Sequence, residues 1–136
     1  MHSQIFVNLP VKDLKRSVDF FTKLGYTFNP QFTDDNATCM ILGDNLFVML
    51  LVEKFFSSFT AKAICDTTNS TETLSCLACG SREQVDELVA KALANGGKVP
   101  RKAQDHGFMY AHGYEDLDGH TWELIYMTGA PPQHIG

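Results

Sequence analysis

The chain has 136 residues, of which 44% are hydrophobic and 20% charged, and its formal charge at pH 7 is −5. This length fits one domain or two half-domains that share a core, and the composition is that of a folded chain. The acidic balance argues against nucleic acid as a partner, and no run approaches the roughly 20 apolar residues of a membrane span. Without the features of a signal peptide, the sequence predicts a cytoplasmic protein.

The first half of the sequence predicts the element order βαβββ. Apolar residues alternate from Ile5 to Val11, which is the period of a strand. Asp13 is a candidate N-cap for a helix whose apolar stripe ends at Gly25. Three strands are then predicted at about 26–32, 37–42 and 46–52, the last two joined by the turn 43–45.

The second half repeats this order. A strand is predicted at 73–79, and Ser81 with Gln84 forms a capping box for a helix that stops at Gly96. The buried stripe of this helix is predicted to contain Val85, Leu88, Val89, Ala92 and Leu93. Strands are predicted at about 98–103, 108–115 and 121–127, with residues 116–119 as the last hairpin turn. Because Val-Asp pairs recur in the two helices about half a chain apart, we infer an internal duplication.

Cys76 and Cys79 form a C-x-x-C pair, a spacing typical of redox or zinc sites. They lie in a predicted strand, where side chains three positions apart point to opposite faces. We therefore interpret them as small core residues, and all four cysteines as reduced thiols.

A four-stranded sheet with one helix leaves one face uncovered, so two such modules would bury these faces against each other or against a partner. The predicted fold is α+β, with two βαβββ modules forming paired curved mixed sheets around a cleft. Module one covers about residues 1–54, a linker 55–70 and module two 71–128. Residues 129–136, which include His134, are predicted to be a flexible tail.

The predicted linker contains three phenylalanines and the polar run 66–70. Phe55, Phe56 and Phe59 are costly to expose to water. They are expected to pack on the domain edge or in a subunit interface, and the alternative is a lid over the cleft. The polar run is interpreted as an ordinary linker.

Two motifs carry a family resemblance. The first runs from Val7 through Asp13-Leu14, Ser17 and Phe20-Phe21 to Leu24-Gly25, and the second is Asp116-x-Asp118-Gly119-His120-x-Trp122-Glu123-Leu124. With the duplicated element order between them, the chain resembles the vicinal oxygen chelate superfamily, which includes glyoxalase I, bleomycin resistance proteins and extradiol dioxygenases. This resemblance implies the paired-module fold and leaves the reaction open.

The metal-using members of this superfamily hold a divalent ion with four ligands, two from each module. The resemblance places the first three ligands at Phe6, Leu50 and Leu74, and the fourth at Glu123. Only Glu123 has a ligating side chain, and one carboxylate does not make a transition-metal site. No cofactor is therefore expected, with a divalent metal as the alternative.

The last hairpin suggests a catalytic pair. If Asp116 and Gly119 close a simple turn, His112 faces Glu123, and Tyr110 and Tyr114 share their side of the sheet. A histidine beside a carboxylate can act as an acid or base near neutral pH. The alternative is a cross-strand charge pair without catalytic role, and a one-residue bulge would break the pairing. His120, next to the turn glycine, is interpreted as structural.

By the same alternation, five further residues are predicted to face the cleft: Phe6, Asn8, Leu50, Leu74 and Cys76. This set is apolar apart from Asn8, which suits an organic ligand with a planar or hydrophobic body. Phe6, Asn8, Leu50, Leu74, Tyr110 and Tyr114 are thus the candidate ligand-binding residues. The alternative is that these positions simply fill the core.

Three functions remain open from the sequence. The first is a homodimeric protein that resembles the resistance branch and binds a small, partly apolar organic molecule in the cleft without the usual metal. The second is a glyoxalase-like, metal-dependent lyase or isomerase, with His112 as an additional donor or metal-free acid–base chemistry. The third is a scaffold whose function is association.

Overall fold

A computed structural model describes residues 1–129, so the predicted tail lies outside the described residues except for Gly129. The chain divides into two compact units, Met1–Cys65 and Asp66–Gly136, which correspond to modules one and two. None of the helices described within residues 1–129 is long and apolar enough to cross a membrane.

Module one has the predicted βαβββ order. It consists of β1 (Ile5–Val11), α1 (Leu14–Leu24), β2 (Thr27–Asn29), β3 (Ala37–Gly43), β4 (Leu46–Val52) and the short helix α2 (Glu53–Ser57). Its sheet has the order β1-β4-β3-β2, with β1 parallel to β4 and the other pairs antiparallel. The second strand is shorter than predicted because Pro30 begins a turn of 3-10 helix at Pro30–Phe32.

Module two repeats this topology. It consists of β5 (Leu74–Ala78), α3 (Arg82–Ala94), β6 (Gln104–Asp105), β7 (Met109–Glu115) and β8 (Thr121–Met127). The sheet order is β5-β8-β7-β6, with β5 parallel to β8. The predicted duplication is therefore confirmed at the level of topology.

Both long helices begin and end where the sequence predicted. Asp13 accepts a hydrogen bond from the Arg16 amide, and Gly25 ends α1 in the left-handed conformation with φ of 106°. The Ser81 hydroxyl accepts from the Gln84 amide at 3.0 Å. The Gln84 side chain accepts from the amide of Gly80 and not from that of Ser81, so the capping box is displaced by one residue.

Each sheet packs one face against its long helix, which we call the helix face. In module one this face contains Leu9, Met40, Val48 and Leu50, all at most 3% exposed. In module two it contains Tyr114, Trp122 and Leu124, at most 1% exposed, with Val85 and Ala92 of α3 equally buried. Leu93 is 59% exposed and does not belong to the buried stripe predicted for α3. The opposite face of each sheet is called its open face below.

The predicted edge strand 98–103 does not form. The chain makes one bridge to β7, Lys98 with Glu115, and pairs again only at Gln104 with Ala111. Five residues, 99–103, thus lie opposite three, 112–114. Pro100 lacks an amide hydrogen for the ladder, which favours such an outward bulge at a sheet edge.

The predicted linker contains ordered structure. Glu53–Ser57 forms α2, where the Phe55 and Phe59 rings meet edge to face with centroids 5.1 Å apart. Phe59 is 70% exposed. The polar run folds into a turn, in which the Ser70 amide donates to the Asp66 carbonyl at 2.9 Å. The Thr67 hydroxyl donates to the Asp118 carbonyl and ties this turn to the last hairpin of module two.

Candidate ligand-binding site

The last hairpin closes with a register one residue away from the predicted one. The Asp116 amide donates to the His120 carbonyl at 3.0 Å, so the loop has three residues, 117–119. Gly119, with φ of 79°, supplies the left-handed position that three-residue hairpin loops require. Gly113 therefore faces Glu123, and His112 faces Leu124.

This register overturns the predicted pairing of His112 with Glu123. Because side chains alternate along a strand, His112, Tyr110 and Tyr114 lie on the helix face while Glu123 lies on the open face. Tyr114 is fully buried against Trp122, with ring centroids 6.5 Å apart. The Tyr110 hydroxyl donates to Asp86 of α3 at 2.5 Å, and this bond raises the pKa of the phenol.

His112 holds the bulge of residues 99–103 to β7. Its Nε2 lies 3.2 Å from the Arg101 carbonyl oxygen. A carbonyl only accepts, so Nε2 carries the hydrogen in this contact. Nδ1 is buried, and no described residue offers it a hydrogen-bond partner. The contacts of His112 thus position the chain around Arg101.

Leu50 also lies on the face opposite to the predicted one. The parallel register of β1 and β4 pairs Asn8 with Met49 and Leu9 with Leu50, so Leu50 points into the helix face and is 0% exposed. The residue that shares a face with Phe6 and Asn8 is Met49. The alignment of the second ligand position was therefore wrong by one residue.

The other predicted cleft residues lie on the open faces. Phe6 stacks on Phe47 with ring centroids 4.9 Å apart and is 44% exposed, and Asn8 is exposed beside it. In module two, Leu74 pairs with Thr121 and Cys76 with Glu123, which puts all four on the same open face. The ligand-binding roles of Phe6, Asn8 and Leu74 stay predictions.

Asp116 organises the hairpin beneath this face. Its carboxylate accepts hydrogen bonds from the amides of Asp118 and His120 and from Trp122 Nε1, at 2.9 to 3.0 Å. Burial raises the pKa of this carboxyl, against the opposing influence of His120 and the three donors. His120 Nδ1 lies 2.6 Å from the Glu72 carboxylate and is 3% exposed. These contacts fit the structural role predicted for His120.

Two adjoining cavities lie on the open side of module two, and we call them together the module-two groove. The first, of about 180 Å³, lies between the bulge and β7, and Met109, Ala111 and Gly113 contribute to its lining. The second, of about 390 Å³, lies between the bulge and the polar turn, and its lining includes Thr67 and Leu74. The larger cavity alone reaches the roughly 300 Å³ at which small-molecule pockets begin.

Four residues line both cavities: Pro100, Arg101, Thr121 and Glu123. The sequence identified Glu123 and placed Thr121 on the same face without choosing it as a site residue, and Arg101 was missed. Thr121 lies two positions before Glu123 in β8, so the alternation of side chains along a strand places both on the same face. Pro100 in a predicted edge strand was the signal for a bulge, which brings Arg101 to the groove.

The residues around Glu123 do not fit the divalent metal of the superfamily. Among residues 1–129 no three His, Cys, Asp or Glu side chains converge as a metal site requires. Cys76 is the one neighbouring donor that the register supplies to Glu123, and Met49 at the corrected ligand position offers only a thioether. Burial, and then the Glu123 charge, raise the pKa of the Cys76 thiol, which disfavours the thiolate that a metal needs.

Comparisons with known proteins agree with this architecture. Residues 4–43 match the family described as bleomycin resistance protein-like N-terminal. No curated protein matches the sequence. The solved structure of SA1046, a hypothetical protein from S. aureus, is 27% identical, with a TM-score of 0.79 over 93% of this chain and 95% of that one.

Two more distant structures share the fold alone. A glyoxalase-related enzyme from Fulvimarina pelagi has a TM-score of 0.79 at 17% identity, covering 100% of this chain and 96% of that one. A lactoylglutathione lyase from Agrobacterium tumefaciens has a TM-score of 0.68 at 15% identity, covering 91% and 92%. The chain thus has the fold of glyoxalase-related and bleomycin resistance proteins, and residues 4–43 match the bleomycin resistance protein-like N-terminal family.

Proposed function

We propose that the protein binds a small, partly apolar organic molecule in the module-two groove, without a metal ion. The observation that carries this proposal is the groove itself, whose lining combines Glu123, Arg101 and Thr121 with apolar side chains. Small-molecule sites have this composition, with a few polar groups that orient a largely apolar ligand.

The floor of the groove supports this function. Ala111 and Gly113 of β7 lie beside Ile125 and Glu123 of β8, so two small residues leave the space that the first cavity occupies. Leu74, at the border of the second cavity, is 58% exposed. Covering the exposed part of this side chain with an apolar ligand would contribute roughly 1 kcal/mol of binding free energy.

The donor set argues for binding over metal-dependent chemistry. A lyase of the glyoxalase type needs three or four convergent ligands, and among residues 1–129 no three His, Cys, Asp or Glu side chains are grouped as a metal site. His112, which the sequence offered as a further donor, contributes to the lining of the first cavity, but it pairs with Leu124 and its Nε2 contacts the Arg101 carbonyl. Homodimer formation stays a prediction from the resemblance. Light scattering on the purified protein would measure the oligomeric state.

The proposal is tested by a thermal-shift screen of drug-like fragments on protein purified without chelator, followed by calorimetry of each hit with and without EDTA. We expect ligands with an apolar body to bind at one per chain, with affinities that EDTA does not change. The proposal fails if calorimetry confirms no hit. Stoichiometric nickel, zinc or iron, together with binding that EDTA abolishes, would instead favour the metal-dependent enzyme.

A further inference from the structure

Two residues of opposite charge, Arg101 and Glu123, are shared by the linings of the two cavities and do not form an ion pair. Arg101, which is exposed, and Glu123, which is partly buried, line both cavities. Within residues 1–129 neither side chain makes a hydrogen bond or an ion pair, with each other or with a third residue. Two ion pairs lie elsewhere in module two, Arg82 with Asp105 at 2.9 Å and Lys91 with Glu87 at 2.9 Å.

The total charge around the groove is balanced. Lys102 adds a second cation to the lining of the first cavity, and Glu115 adds a second carboxylate to that of the second. A purely anionic ligand would leave both carboxylates facing its charge, and a purely cationic ligand would leave Arg101 and Lys102 unsatisfied. A ligand that carries both charges can satisfy both sets.

The chemistry of the two central groups fits such a ligand. An arginine guanidinium presents a planar fork that binds a carboxylate through two parallel hydrogen bonds. Glu123 is partly buried in the lining of both cavities, and its carboxylate can accept charge-assisted hydrogen bonds from an ammonium group. The space beside them is lined by Met109 and Ala111, which would contact an apolar side chain.

We propose that the groove takes a zwitterionic amino acid or a close analogue, with its ammonium on Glu123, its carboxylate on Arg101 and its apolar side chain over Met109 and Ala111. This inference rests on the proposed function, since it names the ligand class of the same groove. It differs from the general proposal in requiring both charges on one small molecule.

The test is a panel of the twenty common amino acids, followed by blocked derivatives of each one that binds. Binding is measured by saturation-transfer NMR and calorimetry. The N-acetyl derivative removes the ammonium and the carboxamide removes the carboxylate. Because a hydrogen bond to a charged group contributes about 1.5 kcal/mol or more, each derivative should bind about tenfold more weakly than the parent amino acid.

Two variants assign each charge to its partner. Glu123→Gln should weaken binding of the parent amino acid and bring its affinity down to that of the N-acetyl derivative. Arg101→Gln should likewise bring the affinity of the parent amino acid down to that of the carboxamide. Glu83→Gln and Lys62→Gln, which change exposed charges that do not line the groove, should leave all affinities unchanged.

The possible failures are distinct. The zwitterion proposal is overturned if none of the twenty amino acids binds, or if the blocked derivatives bind as tightly as their parents. If the fragment screen still gives confirmed ligands in that case, the proposed binding function stands and only the ligand class is wrong. If neither the amino acids nor the fragments bind, both proposals fail.

Discussion

The two modules share a topology and differ in what their open faces carry. Both have the strand order first-fourth-third-second, and both long helices begin at a side-chain cap. On the open face, module one presents Phe6 stacked on Phe47, and Met49 at the position paired with Asn8. Module two presents Thr121 and Glu123 beside a bulge that carries Arg101. Topology thus follows the apolar pattern that the halves share, whereas the proposed binding function depends on the few open-face positions at which they differ.

The last hairpin turns of the two modules also differ, in how their loops are held. In module two, Asp116 is 6% exposed and accepts three hydrogen bonds that close the loop. In module one, Asn45 in the left-handed conformation, with φ of 61°, forms the tight turn, and the neighbouring Asp44 is exposed.

The largest effect is expected from removing the buried carboxylate. Asp116→Ala should lower the free energy of unfolding by about 3 kcal/mol, because it leaves two buried N–H donors and one partly buried N–H donor without their acceptor. The matched change Asp44→Ala should cost less than about 0.5 kcal/mol. Urea denaturation followed by circular dichroism measures both, and equal losses would contradict the contrast between the turns.

A glycine in a hairpin strand of each module should give an intermediate effect. A Cβ at Gly113 would lie 2.7 Å from the Trp122 carbonyl oxygen, so Gly113→Ala must displace backbone and should cost about 2 kcal/mol. A Cβ at Gly43 would lie 3.4 Å from a Leu46 methyl carbon, and Gly43→Ala should be nearly neutral. A Gly113→Ala protein as stable as the wild type in the same denaturation experiment would show that β7 and β8 are less closely paired than described.

The helix caps should give smaller and equal effects. Asp13 and Ser81 each accept from an amide in the first turn of their helix. Asp13→Ala and Ser81→Ala should each destabilise the protein by about 1 kcal/mol. A clear difference between the two losses in chemical denaturation would mean that the modules depend on their helices to different degrees.

Local signals made most of the fold predictable. Apolar alternation, caps and helix-ending glycines depend on residues close in sequence, and they placed α1, α3, β4 and β8 within a residue or two. Pro30 and Pro100 are also local signals, and they account for the two strands that were predicted too long or misplaced.

The candidate site was less predictable because side-chain direction has a period of two. The length of the last loop depends on the left-handed Gly119 and on the hydrogen bonds of Asp116, and one extra loop residue moved His112 to the opposite face from Glu123. A one-residue error in alignment did the same for Leu50. Arg101 was missed because it reaches the groove through an irregular bulge, which periodic patterns do not describe.

The most direct test of the account is to fill the groove and measure binding. Ala111→Leu places three carbons into the first cavity, whereas Ala78→Leu adds the same atoms to an exposed position of the same sheet that lines neither cavity. Calorimetry with the tightest confirmed ligand should show at least about tenfold weaker binding to Ala111→Leu and wild-type affinity for Ala78→Leu. Equal affinities for both folded variants would place the ligand elsewhere and contradict the assignment of the module-two groove.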